Sequence, residues 1–273
     1  MGADQTTMDS APEQGPGLRT VVTASAAGTA FEWYDFFIFA SLTAVIANKF
    51  YANVGEATAY ILTLLLFGVG FVVRPLGALV FGWFGDRTGR KTTFLVTITL
   101  MGVATVAIGL LPTYDQIGIA APLLLLVLRV AQGFALGGEY GGAAIFVAEH
   151  APNEKRGYLT GWIQTTAAFG LIGALGVIIL TRMMVGVEAF NDWGWRIPFL
   201  LSFFLLVVSL WIRLKLNESP AFKRMEAEGG ARRAPYREAF GTWKNGRFVL
   251  LALFGIMIAQ GAVWYCGYFY SRF

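Results

Sequence analysis

The sequence has one cysteine, Cys266, and one histidine, His150. A single thiol excludes an intrachain disulfide, a CxxC redox pair and a cysteine-ligated zinc site, and a single imidazole excludes a multi-histidine metal centre. Charge is scarce too: 14% of the 273 residues are charged, against 56% that are hydrophobic. A water-soluble domain of this length needs far more charge, because most of its surface faces water. The sequence contains neither an HExxH nor a GxSxG motif, so an intramembrane hydrolase has no recognisable carrier of its chemistry, and no enzyme or cofactor is expected. The net charge of +4 does not point to nucleic acid, since the basic residues sit in short loops and form no stripe interleaved with exposed aromatics.

What the chain has instead is long apolar runs, with a mean hydropathy of +0.59. About 20 apolar residues cross the hydrocarbon core of a bilayer as a helix, and seven such runs lie near 23–47, 57–81, 92–111, 119–144, 158–181, 196–216 and 247–270. The fold class is therefore an all-α membrane protein. Residues 1–18 read as a disordered cytoplasmic tail, 19–216 as a six-helix domain, 217–246 as a cytoplasmic inter-domain loop, and 247–273 as a seventh transmembrane helix opening an incomplete domain. The loop segment SPAFKRMEAEGG has the composition of a surface helix or of a plain linker. Lys and Arg divide fifteen to four between the two sides, with the nine from Arg213 to Arg247 on the richer one. That bias places the N-terminus in the cytoplasm of a multi-pass inner-membrane protein.

Five ionisable residues interrupt the spans. Glu32 and Asp35 lie three apart in span one, Arg74 breaks span two, and Arg129 and Glu139 sit in span four. Such residues are costly against lipid, so they are expected to converge on the bundle interior and to be functional. Burial disfavours the charged form of a carboxylate and a nearby guanidinium favours it, so a site holding both can take up and release a proton. Gly133, Gly137 and Gly141, and then Gly170, Gly173 and Gly176, have the small-residue spacing that lets helices approach closely.

After span two the chain reads Gly82-Trp-Phe-Gly-Asp86-Arg87-Thr-Gly89-Arg90-Lys91. This resembles the signature loop of the major facilitator superfamily, G-x-x-x-D-R-x-G-R-R/K, at every defining position. Gly82 and Gly89 are expected to turn the backbone, and Asp86 to form an ion-pair latch with Arg87, Arg90 and Lys91. Arg129-Val-Ala-Gln132-Gly133 resembles the superfamily's span-four motif. EWYDFFIF, RPLGALVFG, GGEYGGA, WRIPFLLS and NESPAF resemble its metabolite:proton symporter branch. The resemblance implies two inverted three-helix repeats, a cytoplasmic gate at the signature loop, and proton-coupled symport of a small organic anion or zwitterion by alternating access. Within that reading the intramembrane charges are expected to divide the work, Glu32 and Asp35 as the proton-coupling carboxylates and Arg74 and Arg129 as the cationic anchors of a substrate carboxylate. Tyr34 and Gln132 become neutral substrate contacts, and Glu139 a partner of Arg129 or a proton carrier. Members of the superfamily have twelve spans, so a C-terminal half is expected to be missing. The alternative is a truncated, non-transporting membrane protein.

Overall fold

A computed structural model of the chain describes residues 18–215, isolated positions between 218 and 227, and residues 241–258 and 261–263. The expected tail, most of the 217–246 loop with its SPAFKRMEAEGG segment, and the end of the seventh span lie outside the described residues. The chain divides into two units, Met1–Met225 and Glu226–Phe273.

Every regular element among the described residues is helical. In the first unit these are α1 (Leu18–Ser41), α2 (Thr43–Phe50), α3 (Glu56–Thr88), α4 (Arg90–Leu110), α5 (Tyr114–Ile117), α6 (Ala120–His150), α7 (Arg156–Val185), α8 (Val187–Ala189) and α9 (Arg196–Leu214). Five of them are long and apolar enough to cross a bilayer, and a sixth span is made of α1 and α2, bent by 62° at Leu42. The first span is thus broken, where the sequence reading had one continuous helix. In the second unit, α10 (Trp243–Leu250) continues into a wider helical turn over Leu251–Met257.

In the first unit α3 lies along α6, α1 along α7 and α4 along α9, with α4 also on α6 and α1 on α9. Numbering the spans one to six, exchange of the first three for the last three maps these pairs onto one another. That is the contact pattern of two inverted three-helix repeats. The α3–α6 contact is close because Gly133 and Gly137 face the backbone of Gly70 and Arg74, with no room for a Cβ at either glycine. Gly141 and Gly176, by contrast, face open space, so the glycine pattern predicted two close contacts too many. Gly170 packs on Trp33 and Gly173 on Tyr34.

The WRIP run ties the far end of the bundle. Trp195 is wholly buried beside Phe50 and Phe199. Arg196 donates to the carbonyls of Gly109 and Leu111 at 2.9 and 2.7 Å, closing the C-terminus of α4 with a cation.

Candidate functional site within the six-helix unit

Glu32, Asp35, Arg129, Gln132 and Glu139 are all buried inside the unit. They form two clusters. Helical spacing puts Glu32 and Asp35 on one face of α1, and both line a small cavity between α1, α4 and α9. Their partners nevertheless differ.

The first cluster is a relay of side chains. Arg129 donates to Gln132 Oε1 at 2.8 Å, Gln132 Nε2 donates to Thr105 Oγ1 at 2.7 Å, and Thr105 donates to Asp35 Oδ2 at 3.0 Å. Ser202 of α9 donates to the other oxygen of Asp35. A cation and a carboxylate are therefore joined through two neutral groups, each of which both donates and accepts. The guanidinium of Arg129 also lies over the ring of Phe39, 3.9 Å from its centroid, and Arg74 lies over Phe71 at 4.1 Å and Phe36 at 4.9 Å. Aromatic faces stabilise a desolvated cation without neutralising its charge.

The second cluster is an ion-pair triad. Arg213 of α9 pairs with Glu139 and stands 3.7 Å from Glu32. Thr97 donates to the second oxygen of Glu139 at 3.0 Å. Of the two roles open to Glu139, partner of Arg129 or proton carrier, the first is not seen: the cation it pairs with is Arg213. The loop-charge bias places Arg213 among the cytoplasmic cations, yet it is only 3% exposed. Its place in the last turn of span six made it look like a membrane-border residue; the tertiary packing turns it inward, to two acids that need a counter-charge. Without it the Lys and Arg division is fourteen to four.

Tyr34, expected as a substrate contact, is buried, and its hydroxyl donates to the carbonyl of Pro198 at 3.1 Å. It ties α1 to α9.

The signature segment is mostly not a loop. Residues 82–88 continue α3, Gly82 takes no part in a turn, and the reversal is made at Gly89 alone, with φ +98°. That φ lies where only glycine is unstrained. Asp86 pairs with Arg90 at 2.9 Å, and Arg87 lies over Trp83. Lys91 leaves the expected latch and donates to the carbonyl of Leu214, at the end of α9. Glu218, within the NESPAF run, accepts from the backbone N–H groups of Arg90 and Lys91 at 3.0 and 3.1 Å. A carboxylate there satisfies free N–H groups at the start of α4 and meets the positive end of its dipole.

A family model described as sugar (and other) transporter matches residues 20–244. The chain belongs to this family of the major facilitator superfamily. The proline/betaine transporter of Escherichia coli is 38% identical over 258 residues, covering 91% of this chain and 51% of that protein. The shikimate transporter of Escherichia coli is 40% identical over 243 residues, 86% of this chain and 56% of that protein. The inner membrane metabolite transport protein YhjE is 40% identical over 276 residues, 99% and 62%. The chain thus spans about half to three-fifths of the length of these relatives, which are transporters rather than enzymes. Among solved structures, the proton:xylose symporter XylE shares the fold, with a TM-score of 0.69 at 18% identity over 90% of this chain and 51% of that one. The all-α fold, the N-terminal bundle of the superfamily and the organic-acid and proline/betaine branch all stand as read from the sequence.

Proposed function

We propose that the chain forms the N-terminal half of a secondary active transporter that carries a small organic acid or zwitterion with protons across the inner membrane, its N-terminus cytoplasmic. The observation that supports this most is the relay from Arg129 through Gln132 and Thr105 to Asp35. While Asp35 is ionised, its charge reaches Arg129 through two polarised groups and competes for it. Once Asp35 takes up a proton that competition ends, and Arg129, with Arg74 near it, attracts a substrate carboxylate instead. Proton and anion then favour each other's binding, which is the linkage a symporter needs. Gln132 transmits the charge, while the substrate sits on the guanidiniums. Opening and closing of the cytoplasmic side is assigned to the segment Gly82, Asp86, Arg87, Gly89, Arg90 and Lys91, with Glu218 holding the start of α4.

The test is uptake of labelled proline, glycine betaine and shikimate into proteoliposomes under an inward proton gradient. Asp35→Asn mimics the protonated acid. It is expected to cut gradient-driven accumulation roughly tenfold or more while leaving substrate binding intact or tighter. Arg129→Lys, which loses the planar fork for a carboxylate, is expected to weaken binding itself. Gradient-driven uptake undiminished in both variants sinks the assignment. Substrate-induced thermal stabilisation without uptake identifies a binding half. Neither response leaves the non-transporting reading.

A further inference from the structure

Glu32, Glu139 and Arg213 are 2, 1 and 3% exposed. Two carboxylates around one guanidinium carry one uncompensated negative charge, and a net charge held between apolar helices is strongly disfavoured. Among the described residues, the groups that face the triad offer no second cation. Phe94 of α4 lies under Arg213 at 5.0 Å, Thr97 of α4 donates a neutral hydroxyl to Glu139, and on α1 the next charge is the acid Asp35. Among the described residues no donor reaches either oxygen of Glu32. Both carboxylates bear on the same guanidinium nitrogen of Arg213, and a hydrogen bond between two carboxyls requires a proton on one of them.

The small cavity supplies a second observation. It is lined by Glu32, Asp35, Met101, Ser202, Leu206 and Ser209 among others, and has room for about one water molecule. The Ser209 hydroxyl, 1% exposed, has no hydrogen-bond partner among the described residues. Glu32, Asp35 and Ser209 together give a water the two to four polar partners it needs to be held in a protein interior.

We propose that the Glu32–Glu139–Arg213 triad is a proton-binding site, in which the two carboxylates share one proton, and that a water in the cavity between α1, α4 and α9 connects it to Asp35. This deepens the proton-coupling reading above: Asp35 is loaded through the body of the six-helix unit, by a route that does not cross the substrate-binding face. The step is a simple transfer. A proton leaves the shared carboxyl pair for the cavity water, and the water passes one of its own to the carboxylate of Asp35. The charge of the triad becomes one unit more negative, and Asp35 becomes neutral.

The test reads proton binding directly, so it is independent of whether the chain transports. Infrared spectra of the purified chain in lipid nanodiscs are recorded near neutral pH, following the carboxylic-acid C=O band and its shift in D2O. A band present in the wild type and in Asp35→Asn, and lost in both Glu32→Gln and Glu139→Gln, is the expected result. Either substitution leaves one carboxylate to one guanidinium, so the shared proton is no longer held. Gln is isosteric with the protonated acid, and thermal unfolding of both variants checks that they are folded. Absence of the band from the wild type overturns the proposal, as does loss of the band in Asp35→Asn alone or its survival in both Gln variants. Ser209→Val fills the cavity from the α9 side and is expected to slow the D2O shift severalfold. An unchanged rate overturns the connection through the cavity.

Discussion

Arg213 is the residue with the largest expected effect on stability. Its guanidinium is the counter-charge of two buried acids, and removing one partner of such a set leaves uncompensated charge, at a cost of about 3–5 kcal/mol. Arg213→Met keeps most of the side-chain volume and is expected to lower the midpoint of thermal unfolding in detergent clearly. Replacing Glu139 by Gln in the same chain should recover part of the loss, because it removes one of the stranded charges. Unfolding of Arg213→Met at the wild-type temperature means that the triad contributes nothing to the packed state. Asp35 behaves differently. Its acceptor oxygens are met by two hydroxyls, so neutralising it with Asn keeps hydrogen-bonding capacity and acts on coupling more than on folding.

At the scale of elements, the contact that brings Arg74 to the relay is α3 against α6. Arg74 and Arg129 belong to these two helices, and Gly133 and Gly137 let the backbones touch. A side chain at Gly137 would meet the backbone of Arg74, so Gly137→Val is expected to force the helices apart and cost about 1–3 kcal/mol. The accompanying change is weaker substrate binding, as the two guanidiniums separate. Gly141→Val is the control, since the space beside Gly141 is open. Equal thermal shifts in the two variants would mean that helix propensity rather than packing is being measured. The ends of α4 follow the same logic of local satisfaction. Glu218 supplies acceptors at its start and Arg196 supplies donors at its end, both with the sign that the helix dipole favours.

For the whole molecule, the sidedness of the spans is open to a direct test. The proposed orientation, from the positive-inside bias, has the N-terminus and the Pro152–Arg156 turn in the cytoplasm and the Lys49 and Asp192 ends outside. A green fluorescent protein fused before Met1 is expected to fluoresce, and alkaline phosphatase fused after Asp192 to be active. The reverse pattern overturns the topology. The two-fold contact pattern of the six spans predicts nothing about sidedness by itself, because exchange of the repeats inverts the bundle. The charges in the loops decide it.

Composition and run length alone determined that this is an all-α membrane protein, since lipid accepts only segments whose backbone groups are satisfied internally and whose side chains are apolar. The signature segment and the span-four motif determined the superfamily. The internal acids and bases were legible too, because an ionisable residue within an apolar run has so few reasons to be there. Their pairings were not. Glu32 and Asp35 share one helix face, yet they join different clusters, because α9 presents Ser202 to one and Arg213 to the other. Thr105, Ser202 and Ser209 are small and neutral, and give no signal in a hydropathy profile until packing brings an acid or a cavity beside them. Arg213 and Glu218 lay at the border of a span, where a charge is ordinary, and only the tertiary structure turned one inward and set the other on the start of α4. The bend at Leu42 and the single-residue turn at Gly89 were likewise decided in three dimensions. A run of apolar residues specifies that a helix crosses the membrane, whereas its bends, and the depth at which it meets a partner, depend on contacts from spans far away in sequence.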